Sequence, residues 1–158
     1  MIYGRNSNEV LHSMLWDYCQ HGKLEEIKKL FSFADFKLKI EATDIAGNTC
    51  LLHSCKHKHT EIVKYVIEKL KANIYHENNA KLNLFKMAVV ENNIDIIKYL
   101  IVEQKWEIKE DLMSWLNGGN QYNIKYESII TMINNIELYQ SLEKEIDNKI
   151  NTKKLKKI

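Results

Sequence analysis

Proline is absent from this 158-residue chain, glycine occurs five times and cysteine three times. No apolar run approaches the length of a membrane span. The N-terminal MIYGRNSNEV lacks a basic segment followed by an apolar one, so no signal peptide is expected there. Without a secretory leader, an odd count of three cysteines favours reduced thiols in a cytoplasmic setting. The net charge is only +2, too mild to argue for nucleic acid as the main partner. Catalytic signatures are missing as well. There is no glycine-rich phosphate loop, no His-Glu-x-x-His and no Gly-x-Ser-x-Gly, and Gly118-Gly119 stands alone as a loop signal. Glu25, Glu26, Glu61 and Asp95 fall on helix faces and read as solvated. No catalytic residue, cofactor or metal is therefore expected. What remains is a globular composition, 45% apolar and 28% charged, about one domain in length.

The chain repeats itself. HTEIVKYVI (His59 to Ile67) aligns with NIDIIKYLI (Asn93 to Ile101) at an offset of 34 residues, and the same template falls on Gly22 to Phe31 at an offset of 36. Upstream, Leu51 aligns with Phe85, Ser54 with Ala88, and Cys55 with both Cys19 and Val89. Each copy reads as two short helices. In the middle copy the first runs from about Cys50 to His57 and the second from about Thr60 to Lys69, with Thr60 as the expected N-cap. Ile62, Val63, Val66 and Ile67 point inward, while Glu61, Lys64 and Glu68 point outward. A single helix pair of this size cannot bury its apolar face, but stacked copies can, so an all-α solenoid follows.

The middle copy carries a signature. Asp44-Ile45-Ala46-Gly47-Asn48-Thr49-Cys50-Leu51, then Ser54-Cys55, His59-Thr60-Glu61-Ile62-Val63 and Ala72-Asn73-Ile74, resembles the ankyrin repeat. Cys50 replaces the family's proline, Leu52 stands at its histidine and Lys58 at its glycine. The resemblance implies repeats at about 8–43, 44–77 and 78–109. Residues 110–150 then form a degenerate repeat and capping helices, and 151–158 a basic tail. One cap helix is expected from Ile124 to Ile133. Another is expected from Ile136 to Ile150, with Tyr139, Leu142, Ile146 and Ile150 on one face. Trp115 is expected in the core of the cap.

The stretch TCLLHSCKHKH, residues 49–59, invites other readings. On a helix, Cys50, His53 and His57 share a face and could ligate zinc. Cys55 beside His53 or His57 could be a nucleophile with its base. The repeat register argues against both, since it makes Ser54 and Cys55 buried small residues. A nucleic-acid or membrane role for the lysine-rich tail is the remaining rival reading.

The resemblance implies a binding function. In ankyrin-like stacks the turn tips and the exposed end of each first helix line a concave groove. Carried over by position, the first copy contributes Glu9, Val10, His12, Gln20 and His21. The second contributes Ile45, Ala46, Asn48, Lys56 and His57, and the third Asn79, Ala80, Leu82, Val90 and Glu91. Ile45, Leu82 and Val90 are expected to be exposed apolar contacts, and His21, His57 and Glu91 to form a column. The implied partner is another protein, held by a monomer or in a one-to-one complex. The implied role is inhibition or neutralisation, as in small bacterial immunity-type ankyrin proteins. A secreted effector or adaptor is the alternative.

Overall fold

A computed structural model of the chain describes residues 7–33, 38–120 and 125–155. They form eight helices: α1 (Ser7–Gln20), α2 (Leu24–Phe33), α3 (Cys50–Lys56), α4 (Thr60–Glu68), α5 (Leu84–Val90), α6 (Ile94–Val102), α7 (Glu110–Leu116) and α8 (Glu127–Leu155). The chain divides into two compact units, one ending at Glu103 and the other beginning at Gln104.

The first unit is three helix pairs, α1–α2, α3–α4 and α5–α6, stacked side by side. The aligned apolar residues make its core. Leu51, Leu52 and Cys55 on α3 are buried, as are Leu84, Phe85, Ala88 and Val89 on α5. From the second helices come Ile62, Val63, Val66 and Ile67 on α4, and Ile96, Ile97, Leu100 and Ile101 on α6. The aligned residues Cys19, Cys55 and Val89 are all buried, as the register requires of a packing position. Ser54 is buried too, its hydroxyl donating back to the Cys50 carbonyl at 2.9 Å.

The 34-residue period is also written in the backbone. Gly22, Lys58 and Asn92 close the loop between first and second helices with φ of 71°, 62° and 51°. Gly47 and Lys81 repeat a left-handed residue in the turns, at 77° and 60°. Lys58 thus takes the glycine conformation without the glycine, keeping the geometry at a steric cost. At Gly22 the close approach is also spatial: a Cβ there would lie 2.8 Å from His59 Cε1.

Caps recur at the same interval. Thr49 Oγ1 accepts from the Leu52 N–H, and Asn83 Oδ1 accepts from the Lys86 N–H. Thr60 is not the N-cap of α4. That place belongs to His59, which makes no side-chain cap; its Nε2 lies 2.8 Å from the Gln20 carbonyl oxygen instead. The neighbouring copy thus recruits the side chain that would have capped the helix, whereas Asn93, at the equivalent place, caps Ile96.

In the second unit, Leu112 and Leu116 of α7 pack with Ile129 and Ile133 of α8 as a small core of their own. Trp115 stacks on Tyr126 with ring centroids 5.5 Å apart, and Trp106 is buried. The sequence pattern divides the C-terminal region into two helices, but the structure has one of 29 residues. Asn134 and Asn135, which lie between the two expected helices, include no glycine or proline to enforce a break. The expected start at Ile124 and the last three residues of the basic tail lie outside the described residues.

Candidate functional site

The first helices α1, α3 and α5 pack against each other more closely than α4 packs on α6. The first helices form one continuous row across the unit, and the face that row presents holds the expected binding residues. Two turns border this face, and each is built around one polar side chain. Asp44 Oδ1 accepts from the N–H groups of Ala46 and Asn48 at 2.9 and 2.8 Å. Thirty-four residues on, Asn78 Oδ1 accepts from Ala80 and Leu82, both at 3.0 Å. A short acceptor side chain bonding two and four residues ahead is what folds each turn.

The two turns are tied to each other. Asn79 donates its N–H to the Ala46 carbonyl and its side-chain amide to the Ile45 carbonyl, both at 3.0 Å. Asn78 Nδ2 donates to Asn48 Oδ1 at 2.8 Å. Gly47 permits this contact, because a Cβ there would come within 2.9 Å of the Asn79 backbone nitrogen. The result is a rigid pair of tips with Ile45 wholly exposed, its side chain contributing nothing to the core. Ala46, Asn79 and Ala80 are exposed beside it.

Two groups of positional expectations fail here. Glu9, Val10 and His12 do not sit on a turn tip but on α1, which is 14 residues long against seven for α3. The first copy lacks the Asp-x-x-Gly that folds the second turn, so its chain continues as helix. Glu9 and Val10 are exposed, whereas His12 is half-buried and its Nε2 accepts from the Lys39 N–H at 3.1 Å. Leu82 is not exposed either. It is 6% accessible, its N–H bound to Asn78. Asn48 at the equivalent place stays half-buried because its amide is spent on Asp44 and Asn78; a leucine has no such partner and folds inward.

At the other end of the first helices stand the three residues expected to form a column. His21 follows α1, while His57 and Glu91 are the C-caps of α3 and α5. His21, Lys56 and His57 are exposed; Gln20, Val90 and Glu91 are half-buried. His57 is held below its ordinary pKa by burial, with Lys56 and His59 adding to the effect and Glu91 opposing it.

A polar chain links the two ends of this face, and sequence reasoning missed its role. His53 Nε2 lies 2.9 Å from Asp44 Oδ2, and its Nδ1 lies 3.2 Å from Gln20 Nε2. Only a neutral ring with its proton on Nε2 satisfies both neighbours, donating to the carboxylate and accepting from the amide. Burial pushes the His53 pKa down more than Asp44 raises it. Burial also pushes the Asp44 carboxyl up, but the hydrogen bonds from Asn48, the electrostatic effect of His53 and the Ala46 N–H outweigh that and hold it below its usual value. The sequence signal was an Asp nine residues before a His, which only the turn brings together.

The cysteines offer no nucleophile. All three are buried free thiols. Burial pushes Cys55 up to about 12. Cys50 is raised by its hydrogen bond with Cys19 and by burial. A reactive thiol needs the opposite environment. Among the described residues no cluster of three or more His, Cys, Asp and Glu side chains could hold a metal ion. On the outer face a shallow hollow of about 510 Å³ lies between α4 and α6, lined by side chains of both charges including Lys64, Asp95 and Lys98.

Stacked helix pairs with cross-linked turn tips and an exposed inner face define a repeat scaffold that binds through its surface. The family model of ankyrin repeats matches residues 15–111 in three copies, and the chain belongs to that family. Ankyrin repeats are generally a non-enzymatic scaffold, and the three copies make this chain a protein–protein interaction module. No curated protein is significantly similar to it. No helix among the described residues is long and apolar enough to cross a membrane.

Proposed function

We propose that the stack binds one partner protein across its concave face and acts by occupying that partner's surface, as an inhibitor or neutraliser. The observation that carries this reading is Ile45, a fully exposed branched apolar side chain on a tip held by hydrogen bonds from the next repeat. An apolar side chain on a preorganised support is a good anchor, because little entropy is lost on binding. Ala46, Asn79 and Ala80 extend the contact at the tips, and Lys56, His57, His21 and Glu91 give a polar rim at the far end. Glu9 and Val10 contribute from the exposed side of α1. Leu82 and His12 support the face from beneath.

Affinity capture compared across three proteins tests this. The wild type and a Lys64→Glu variant on the outer face should retain the same partner, and Ile45→Asp with His57→Ala should lose it. Retention by the Ile45/His57 variant with loss by Lys64→Glu overturns the assignment of the face. Titration of the partner's own activity then decides the role: stoichiometric loss supports an inhibitor, and undiminished activity in the complex indicates an adaptor.

A further inference from the structure

The end of the face away from the turn tips gathers histidines and lysines from two consecutive copies. The loop after α1 packs on the loop after α3. His59 Nε2 lies 2.8 Å from the Gln20 carbonyl oxygen, and Gly22 leaves room for the His59 ring. The rings of His57 and His59 stack with centroids 6.5 Å apart. His21, Lys23, Lys56, His57 and Lys58 stand exposed around this contact. Acids are fewer. Asp17 of α1 is already engaged by His21 at 3.2 Å, and Glu91 at the end of α5 is half-buried. Among the described residues no ion pair holds Lys23, Lys56 or Lys58. Besides burial, Lys56, His59 and His21 all disfavour the charged form of His57, and Glu91 alone favours it.

A surplus of one sign on a contact face selects a partner of the other sign. Resting on the proposed use of this face, we infer that its far end receives a carboxylate-rich segment of the partner protein, seated among Lys23, Lys56 and His57, and takes up protons as that segment docks. Proton uptake follows from the change of field. In the free chain the charged neighbours of His57 are mostly cationic, and a docked carboxylate opposes them, so the bound ring holds its proton more tightly than the free one. The turn tips set the spacing. Ile45 lies before the N-terminus of α3 and Lys56 at its C-terminus, and the seven residues of α3 span about 10 Å. An extended segment advances about 3.3 Å per residue, so its apolar residue and its acids stand at least about three residues apart. A nucleic-acid backbone, charged at every unit, fits less well. It would meet Glu91 in the row and the apolar Ile45 at the other end.

A display library of random short peptides, selected on the full chain, reads this preference directly. Selected sequences should be enriched in Asp and Glu at that spacing from an apolar residue. Their affinity should fall about tenfold or more on Lys23→Glu with Lys56→Glu. The same peptides with lysine in place of their acids should regain affinity for that variant. Both substituted positions are exposed, so circular dichroism should be unchanged. Calorimetry near neutral pH in two buffers of different ionisation enthalpy should show proton uptake, reduced by His57→Ala. Binding without proton uptake overturns the part given to the histidines. No excess of acids over the unselected library, or acidic peptides indifferent to the lysine reversal, overturns the inference. If peptides indifferent to the reversal are still lost on Ile45→Asp, binding through this face stands; if they ignore Ile45→Asp as well, that falls too. A labelled single-stranded oligonucleotide that binds more tightly than the peptides, and is lost on the same reversal, assigns this end to nucleic acid and overturns the acidic protein segment.

Discussion

Asn79 donates its side-chain amide to the carbonyl of Ile45 at 3.0 Å, a bond spanning 34 residues of sequence and two consecutive repeats. Through it the conformation of one turn depends on the side chain of the next. A solenoid whose tips are cross-linked in this way presents them as one surface.

Stability and recognition should separate at these tips. Ile45→Ala removes no buried contact, so it should change stability by less than about 0.5 kcal/mol. It should nevertheless weaken partner binding roughly fivefold or more. Asn78→Ala should do the opposite, because the Asn78 side chain holds Ala80, Leu82 and Asn48 together. The buried Leu82 N–H loses its partner, at a cost of about 1–3 kcal/mol. Urea unfolding of both variants, alongside partner titration, checks the pair.

Lys58→Gly should stabilise the protein. The lysine has φ of 62°, where an L side chain costs about 1–2 kcal/mol, and glycine adds back roughly 0.5–1 kcal/mol of chain entropy. The net gain, up to about 1.5 kcal/mol, would raise Tm by about 2–4 °C per kcal/mol. Gly22→Ala should do the reverse, since it combines a φ of 71° with a Cβ 2.8 Å from the His59 ring. Thermal unfolding by circular dichroism measures both.

Acidification should destabilise the fold before any carboxylate titrates. His12, His53 and His57 are all lowered from their ordinary value, in each case chiefly by burial. A folded pKa below the unfolded one means that the unfolded chain binds the proton first. Stability is then full above about pH 6.5, and falls as pH drops through the window between the unfolded and folded values. Asp44, also lowered, adds a second loss only below its ordinary value of 3.8. His53→Gln should flatten the first of these losses in a Tm series from pH 8 to 5.

The thiols should resist modification. With Cys55 at about 12 and Cys50 raised, a thiol reagent at pH 8 should label neither in the folded protein. In denaturant it should label all three cysteines, Cys19 included. Rapid reaction of Cys55 under native conditions would revive the nucleophile reading.

Much of the fold is legible in the sequence because its cause is local and periodic. Ile62, Val63, Val66 and Ile67 recur 34 residues later as Ile96, Ile97, Leu100 and Ile101, and all eight are buried. Cys19, Cys55 and Val89 announce a packing position by being interchangeable small apolar groups. The long α8 was not legible. Two helices, Ile124 to Ile133 and Ile136 to Ile150, were expected where the structure has one, and no glycine or proline lies between them to break it.

Exposure at the expected binding positions was legible at some residues and not at others. Position in the repeat correctly leaves Ile45 bare, but it also exposes Leu82, which the structure buries. It extends the turn to Glu9, Val10 and His12, where the chain is helical. The repeat period and apolar skeleton follow from the sequence alone, because helix geometry and hydrophobic burial act on nearest neighbours in register. Which polar side chains meet was decided by tertiary structure. Asp44, His53 and Gln20 come from three different elements, and only stacking brings a turn, an inner helix and the preceding inner helix to within hydrogen-bonding distance.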